Sequence, residues 1–113
     1  MPTIYETKVT ASGGRDGHVI SKDGVLNFEV RIPTEMGGSG GPFSNPEQLF
    51  AAGYAACFDS ALNFVARRLK EKITSEVTAT VGLKSSLTMD LDLVVKMDVK
   101  IAGVDTEKAQ ELL

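Results

Sequence analysis

NPEQLFAAGYAACFDSALNFVARRLKEK, residues 45–72, decides the fold of this chain, because it reads as one long helix with the only cysteine, Cys57, at its centre. Asn45 suits a cap, Pro46 the first helical position, and Gln48 at the third completes a capping-box pattern. Residues 49–58 carry no charge. At about 100° per residue, Phe50, Gly53, Tyr54, Ala61 and Phe64 share a face with Cys57. Ala52, Ala55, Leu62 and Ala66 lie on the opposite face. The pattern predicts a core helix, buried nearly all round in its first half, amphipathic in its second and frayed at its charged end.

Upstream, residues 3–12 alternate loosely as a strand, and Gly13-Gly14-Arg15-Asp16-Gly17 is a turn by composition with Arg15 at its tip. A second strand over residues 18–21 and a Lys22-Asp23-Gly24 turn lead to a third, through Val25, Phe28, Val30 and Ile32, stopped by Pro33. Together these predict an antiparallel meander. Residues 36–44 hold four glycines and a proline, the composition of an ordered surface loop. Downstream, residues 75–84 and 89–102 alternate as the two strands of a hairpin. Gly103 breaks the second strand and Asp105 can cap another helix. The sequence stops at Leu113, about two turns into that helix, and reads as cut short there.

At 113 residues, 42% hydrophobic and 24% charged, the chain is expected to form a single domain, residues 1–113. A net charge of −3 gives no electrostatic footprint for nucleic acid. The N-terminus lacks the pattern of a signal peptide, and the longest uncharged apolar run is about half of the roughly 20 residues a membrane span needs. A soluble, cytoplasmic protein without membrane contact is therefore expected. One cysteine and one histidine give no metal-ligand spacing and no internal disulfide, so no metal or cofactor is expected.

Cys57 has two readings: a small core hydrophobe without reactivity, or a reactive thiol. The second needs a cation that favours the thiolate, and Arg15 on its glycine-rich turn is the candidate, set against an ordinary solvated turn arginine. The glycine run at residues 37–41 lacks the Lys-Ser/Thr pair and the spacing of a phosphate loop. His18 reads as a strand-surface residue.

GGRDGHV at residues 13–19, DGVL at 23–26, NPEQLFAAGYAACFDSALNFVAR at 45–67 and SEVTATVGL at 75–83 together resemble the organic hydroperoxide resistance (Ohr) branch of the OsmC/Ohr family. The similarity runs nearly end to end. It implies an α+β, OsmC-like fold: antiparallel sheets wrapped around a long central helix, in an intertwined two-fold homodimer with sites at the subunit interface. Against that pattern the sequence reads as a single OsmC/Ohr-like domain lacking its C-terminal helix and strand.

Matched position by position, the resemblance makes Cys57 the peroxidatic cysteine, Arg15 the arginine that stabilises its thiolate and Glu47 the carboxylate that holds the arginine. Phe50, Tyr54, Phe64, Met36 and Phe43 would supply an apolar wall for an organic hydroperoxide. The implied activity is a cysteine-based peroxidase that reduces organic hydroperoxides to alcohols through a sulfenic acid in peroxide stress defence. The family closes its cycle with a second cysteine and a lipoylated protein or another dithiol as reductant. This sequence has one cysteine, so the first step is implied and turnover stays open. The alternative is a non-catalytic redox-sensing or small-molecule-binding module in which Cys57 is oxidised once. One point of geometry also stays open: ten residues along a continuous helix put Glu47 and Cys57 about 15 Å apart. Either the helix breaks near Gly53, or the carboxylate serves a thiol from a second subunit.

Overall fold

The computed structural model describes residues 2–85 and 91–113. It is an α+β structure with one long helix and two antiparallel sheets, and the chain divides into two compact units, Met1–Leu49 and Phe50–Leu113.

In the first unit β1 (Val9–Ser12), β2 (His18–Ser21) and β3 (Asn27–Glu29) form the expected meander, with Val9 opposite Ser21 and His18 opposite Glu29. The strands are shorter than the sequence suggests. Among the described residues nothing pairs with residues 3–7 as a strand, although the Lys8 carbonyl accepts from the Lys22 N–H at 2.9 Å, and Ile4 and Tyr5 lie exposed. Beyond β3 the backbone leaves the sheet: Val30, 1% exposed, makes a parallel bridge with Ser44 instead. The loop that follows opens with a 3-10 turn, Thr34–Met36.

The helix α1 (Pro46–Arg68) is continuous. Asn45 caps it, its Oδ1 accepting from the Gln48 N–H at 2.9 Å. The reciprocal half of the capping box is absent, because the Gln48 Oε1 accepts from the Ser44 hydroxyl at 3.0 Å. The far end does not fray. Lys70 adopts φ 58°, and the Glu71 and Lys70 N–H groups close on the Ala66 and Arg67 carbonyls at 2.9 and 3.1 Å, a Schellman ending with lysine in the place usually held by glycine.

In the second unit β4 (Thr74–Ser85) and β5 (Leu91–Ala102) form a long hairpin with Val77 opposite Val99. Met89, the expected start of the second strand, lies outside the described residues. Along β4 the half-buried side chains are Ser75, Val77, Ala79, Val81 and Leu83, the apolar four of them those the alternation predicts. β5 is covered only at its Met97, Val99 and Ile101 end; Leu91, Leu93, Val94 and Val95 are exposed. Asp105 caps α2 (Thr106–Leu112), accepting from the Lys108 N–H at 2.8 Å. Leu62, Ala66 and Leu112 make the core, with Val65, Ile73, Val99, Ile101 and Val104 packed around it.

That core corrects the expectation for α1. Only Leu62 and Ala66 of the helix are buried, and the Cys57 face, Phe50, Gly53, Tyr54, Ala61 and Phe64, is exposed along its length. The cause is architectural: a hairpin and a two-turn helix cover one stripe of a helix, not its circumference. By length and composition, α1 is also long and apolar enough to cross a membrane, which the uncharged run alone did not indicate. Asp59 sits near its middle, bonded with Asn63 and with the Ser75 hydroxyl at the start of β4.

Candidate active site

Arg15 stands on a 3-10 turn, Gly14–Asp16, between β1 and β2. The glycines around it are required by shape. Gly13 has φ 80°, and a Cβ on Gly17 would lie 1.8 Å from the Ser12 carbonyl oxygen. The turn is fastened from outside: the Gly17 carbonyl accepts from the Val30 N–H at 3.0 Å and from Arg31 Nη1 at 3.1 Å, and the Asp16 carboxylate accepts from the Ile32 N–H at 3.1 Å.

Glu47 lies in the first turn of α1, where the helix dipole favours a carboxylate. Residue 30 also bridges to Ser44, and the Arg31 N–H donates to the Ser44 carbonyl at 3.0 Å, so the helix start and the Arg15 turn are tied to one stretch of backbone. The result is an ion pair: Arg15 Nη1 lies 2.8 Å from Glu47 Oε1 and 3.0 Å from Oε2. The two side chains are 32% and 15% exposed, so the pair is shielded but reachable from solvent.

Cys57 belongs to the second unit and is exposed on α1, outside that unit's buried core. Since α1 runs unbroken through Gly53, the rise from Glu47 to Cys57 is about 15 Å. The broken-helix alternative is thereby lost. On the same face Phe50 and Tyr54 pack ring against ring, centroids 5.6 Å apart and tilted 33°, and Arg68 reaches over Phe64. Met36 and Phe43 are exposed in the first unit, with the Arg31 guanidinium 4.8 Å above the Phe43 ring. His18 bonds Asn27 across β2 and β3 and stays outside this group. Among the described residues no cluster of His, Cys, Asp and Glu is arranged to hold a metal.

Asp16 and Arg31 were not legible as site residues. Asp16 reads as a turn former beside Arg15 and Arg31 as a strand arginine, and only the fold brings Arg31 and the Ile32 N–H against that turn.

The family profile of OsmC-like proteins matches residues 37–113. The organic hydroperoxide resistance protein OhrB of Bacillus subtilis is 45% identical over 111 residues, covering 97% of this chain and 81% of the relative. The organic hydroperoxide resistance protein of Xanthomonas axonopodis pv. citri is 40% identical over 112 residues, 97% and 78% of the two chains. Among solved structures, the organic hydroperoxide resistance protein of Elizabethkingia anophelis superposes with a TM-score of 0.91 at 50% identity, covering 99% of this chain and 81% of that one.

Proposed function

The chain belongs to the OsmC-like family, in its organic hydroperoxide resistance branch, and from that premise we propose that it is a cysteine-based peroxidase acting on organic hydroperoxides in peroxide stress defence. The observation that carries this reading is the Arg15–Glu47 ion pair, held on a glycine-framed turn, in a chain whose one thiol is exposed.

The rise of about 15 Å along α1 supports a site completed between two chains. The Arg15–Glu47 pair of one chain meets Cys57 of a second copy, and the apolar stripe of α1 is covered by that copy. A lipid-facing α1 is disfavoured by Asp59, since a carboxylate near the middle of a span costs about 2.5–3.5 kcal/mol even on the mildest scale. We accordingly place the protein in the cytoplasm as a homodimer.

The chemistry follows from charge. Arg15 favours the Cys57 thiolate, and Glu47 holds the guanidinium in place. The thiolate sulfur attacks the terminal peroxide oxygen, the S–O bond forms as the O–O bond breaks, and the departing alkoxide takes a proton to become the alcohol. The guanidinium stabilises the alkoxide as its charge develops. The aromatic wall of Phe50, Tyr54 and Phe64, with Met36 and Phe43, selects an organic substituent over bare hydrogen peroxide. A dithiol, free or on a lipoylated protein, then supplies two electrons, returning the sulfenic acid to thiol with release of water.

Titration with excess cumene hydroperoxide, with and without dihydrolipoamide, tests the reading. Many alcohols formed per chain support the peroxidase. One thiol lost per chain, without recycling, supports a single-use redox sensor. A thiol that survives excess peroxide refutes both.

A further inference from the structure

Residues 30–32 take no part in the reaction above, yet both carriers of the ion pair are fastened to them. We propose that Asp16 and Arg31 are positioning residues for that reaction: through this stretch they register the Arg15 turn against the start of α1, so that the guanidinium is in place before the thiolate forms. This rests on the reading of Arg15 as the thiolate's partner.

Arg31 is the joint. Its Nη1 donates to the Gly17 carbonyl at 3.1 Å and to the Val30 carbonyl at 2.7 Å, its plane lies 4.8 Å over the Phe43 ring, and its backbone N–H holds the Ser44 carbonyl. One residue thus touches the turn, the strand end, the loop and the helix start. A planar fork that bonds and stacks at once does this, and a lysine would not. Asp16 secures the other side of the same turn. Its carboxylate accepts from the Ile32 N–H at 3.1 Å, while Arg15 pairs with Glu47. The anchor itself is firm, since Val30 is 1% exposed and donates to the Gly17 carbonyl. Arg15 has a long side chain, so small rotations of its turn become large displacements of its guanidinium, and a misplacement of about 1 Å can slow an enzyme roughly 10²-fold.

The test is the single-turnover rate of Cys57 oxidation by cumene hydroperoxide in the full chain, measured where circular dichroism shows each variant folded. Asp16→Ala and Arg31→Lys are each expected to slow the rate about tenfold or more. Asp16→Asn, which keeps an oxygen acceptor for the Ile32 N–H, is expected to recover most of it. In an Arg15→Ala background the Asp16→Ala change is expected to add nothing, because its effect runs through the guanidinium. If Asp16→Ala slows that background as much as the native chain, its role is general support of the fold and the proposal is overturned. Native rates for Asp16→Ala and Arg31→Lys beside a slow Arg15→Ala also overturn it, leaving the peroxidase reading intact. A native rate for Arg15→Ala removes that reading and the positioning role with it.

Discussion

A Cys57→Ser chain mixed with a Glu47→Ala chain asks where the thiol and its arginine pair meet. Each chain alone is expected to be poor in peroxide reduction: the first has no nucleophile, and the second leaves Arg15 unanchored. Losing a hydrogen-bonded charge partner costs about 1.5–3 kcal/mol, roughly a tenfold to hundredfold slowing if it falls wholly on the transition state. Because Arg15 is 32% exposed, the lower half of that range applies. The rise of about 15 Å between Glu47 and Cys57 along an unbroken α1 then decides what mixing does. After free exchange of equal amounts, about half of the dimers are mixed, and each holds one site with native Cys57 facing a native Arg15–Glu47 pair. Recovery should therefore approach about a quarter of the native site number. The assay is burst-phase reduction of cumene hydroperoxide, with exchange followed by mass-labelled chains. No gain in activity despite complete exchange would refute the two-chain site, for Glu47 would then have to serve the thiol of its own chain.

Three further outcomes follow from the geometry. Gly17→Ala places a methyl group 1.8 Å from the Ser12 carbonyl oxygen, so thermal melts should show a loss of about 1–3 kcal/mol together with slower Cys57 oxidation. Phe50→Ala, which removes one ring of the Phe50–Tyr54 pair, should lower the preference for cumene hydroperoxide over hydrogen peroxide about tenfold in kcat/KM, and an unchanged ratio would exclude Phe50 from the pocket. The Asp23 carboxyl is held below its usual range by the Ser21 hydroxyl first and the Val25 N–H second. A depressed folded value means the turn's contribution is full above an unfolded value of about 3.9 and is lost as pH falls through the folded value, so amide exchange at Gly24 and Val25 should accelerate only below about pH 4. Asp23→Asn should flatten that profile.

What the sequence made legible was local. Asn45 and Asp105 announce their caps because a short side chain reaching the third N–H is a contact within one turn. The period-two pattern of residues 75–84 is reproduced in the burial of β4, since a pleat fixes alternation whatever covers it. Covering was not legible. A wheel drawn through α1 marks Phe50 and Leu62 alike as apolar, but only the hairpin and α2 determine that Leu62 is 3% exposed and Phe50 open. The Arg15–Glu47 pair spans 32 residues and was reached by resemblance alone. Asp16 and Arg31 carry no such signature, because the Ile32 N–H that Asp16 accepts from and the Gly17 carbonyl that Arg31 donates to lie 16 and 14 residues away in sequence.

If two copies pair as proposed, the uncovered end of β5 has a consequence for how the chain behaves before they meet. Leu91, Leu93 and Val95 point to one side of the strand and are exposed, while Val94 stands alone on the other between Asp92 and Lys96, so one face of the hairpin is apolar and open. Such a strand is a nucleus for sheet-to-sheet clumping, and Asp92 and Lys96, opposite Lys84 and Thr80 in the ladder, are the charges that flank it. Concentration then acts in two directions during refolding: it hastens productive pairing, and it feeds the competing reaction. Refolding yield should pass through a maximum as concentration rises, and Asp92→Asn should move that maximum to lower concentration.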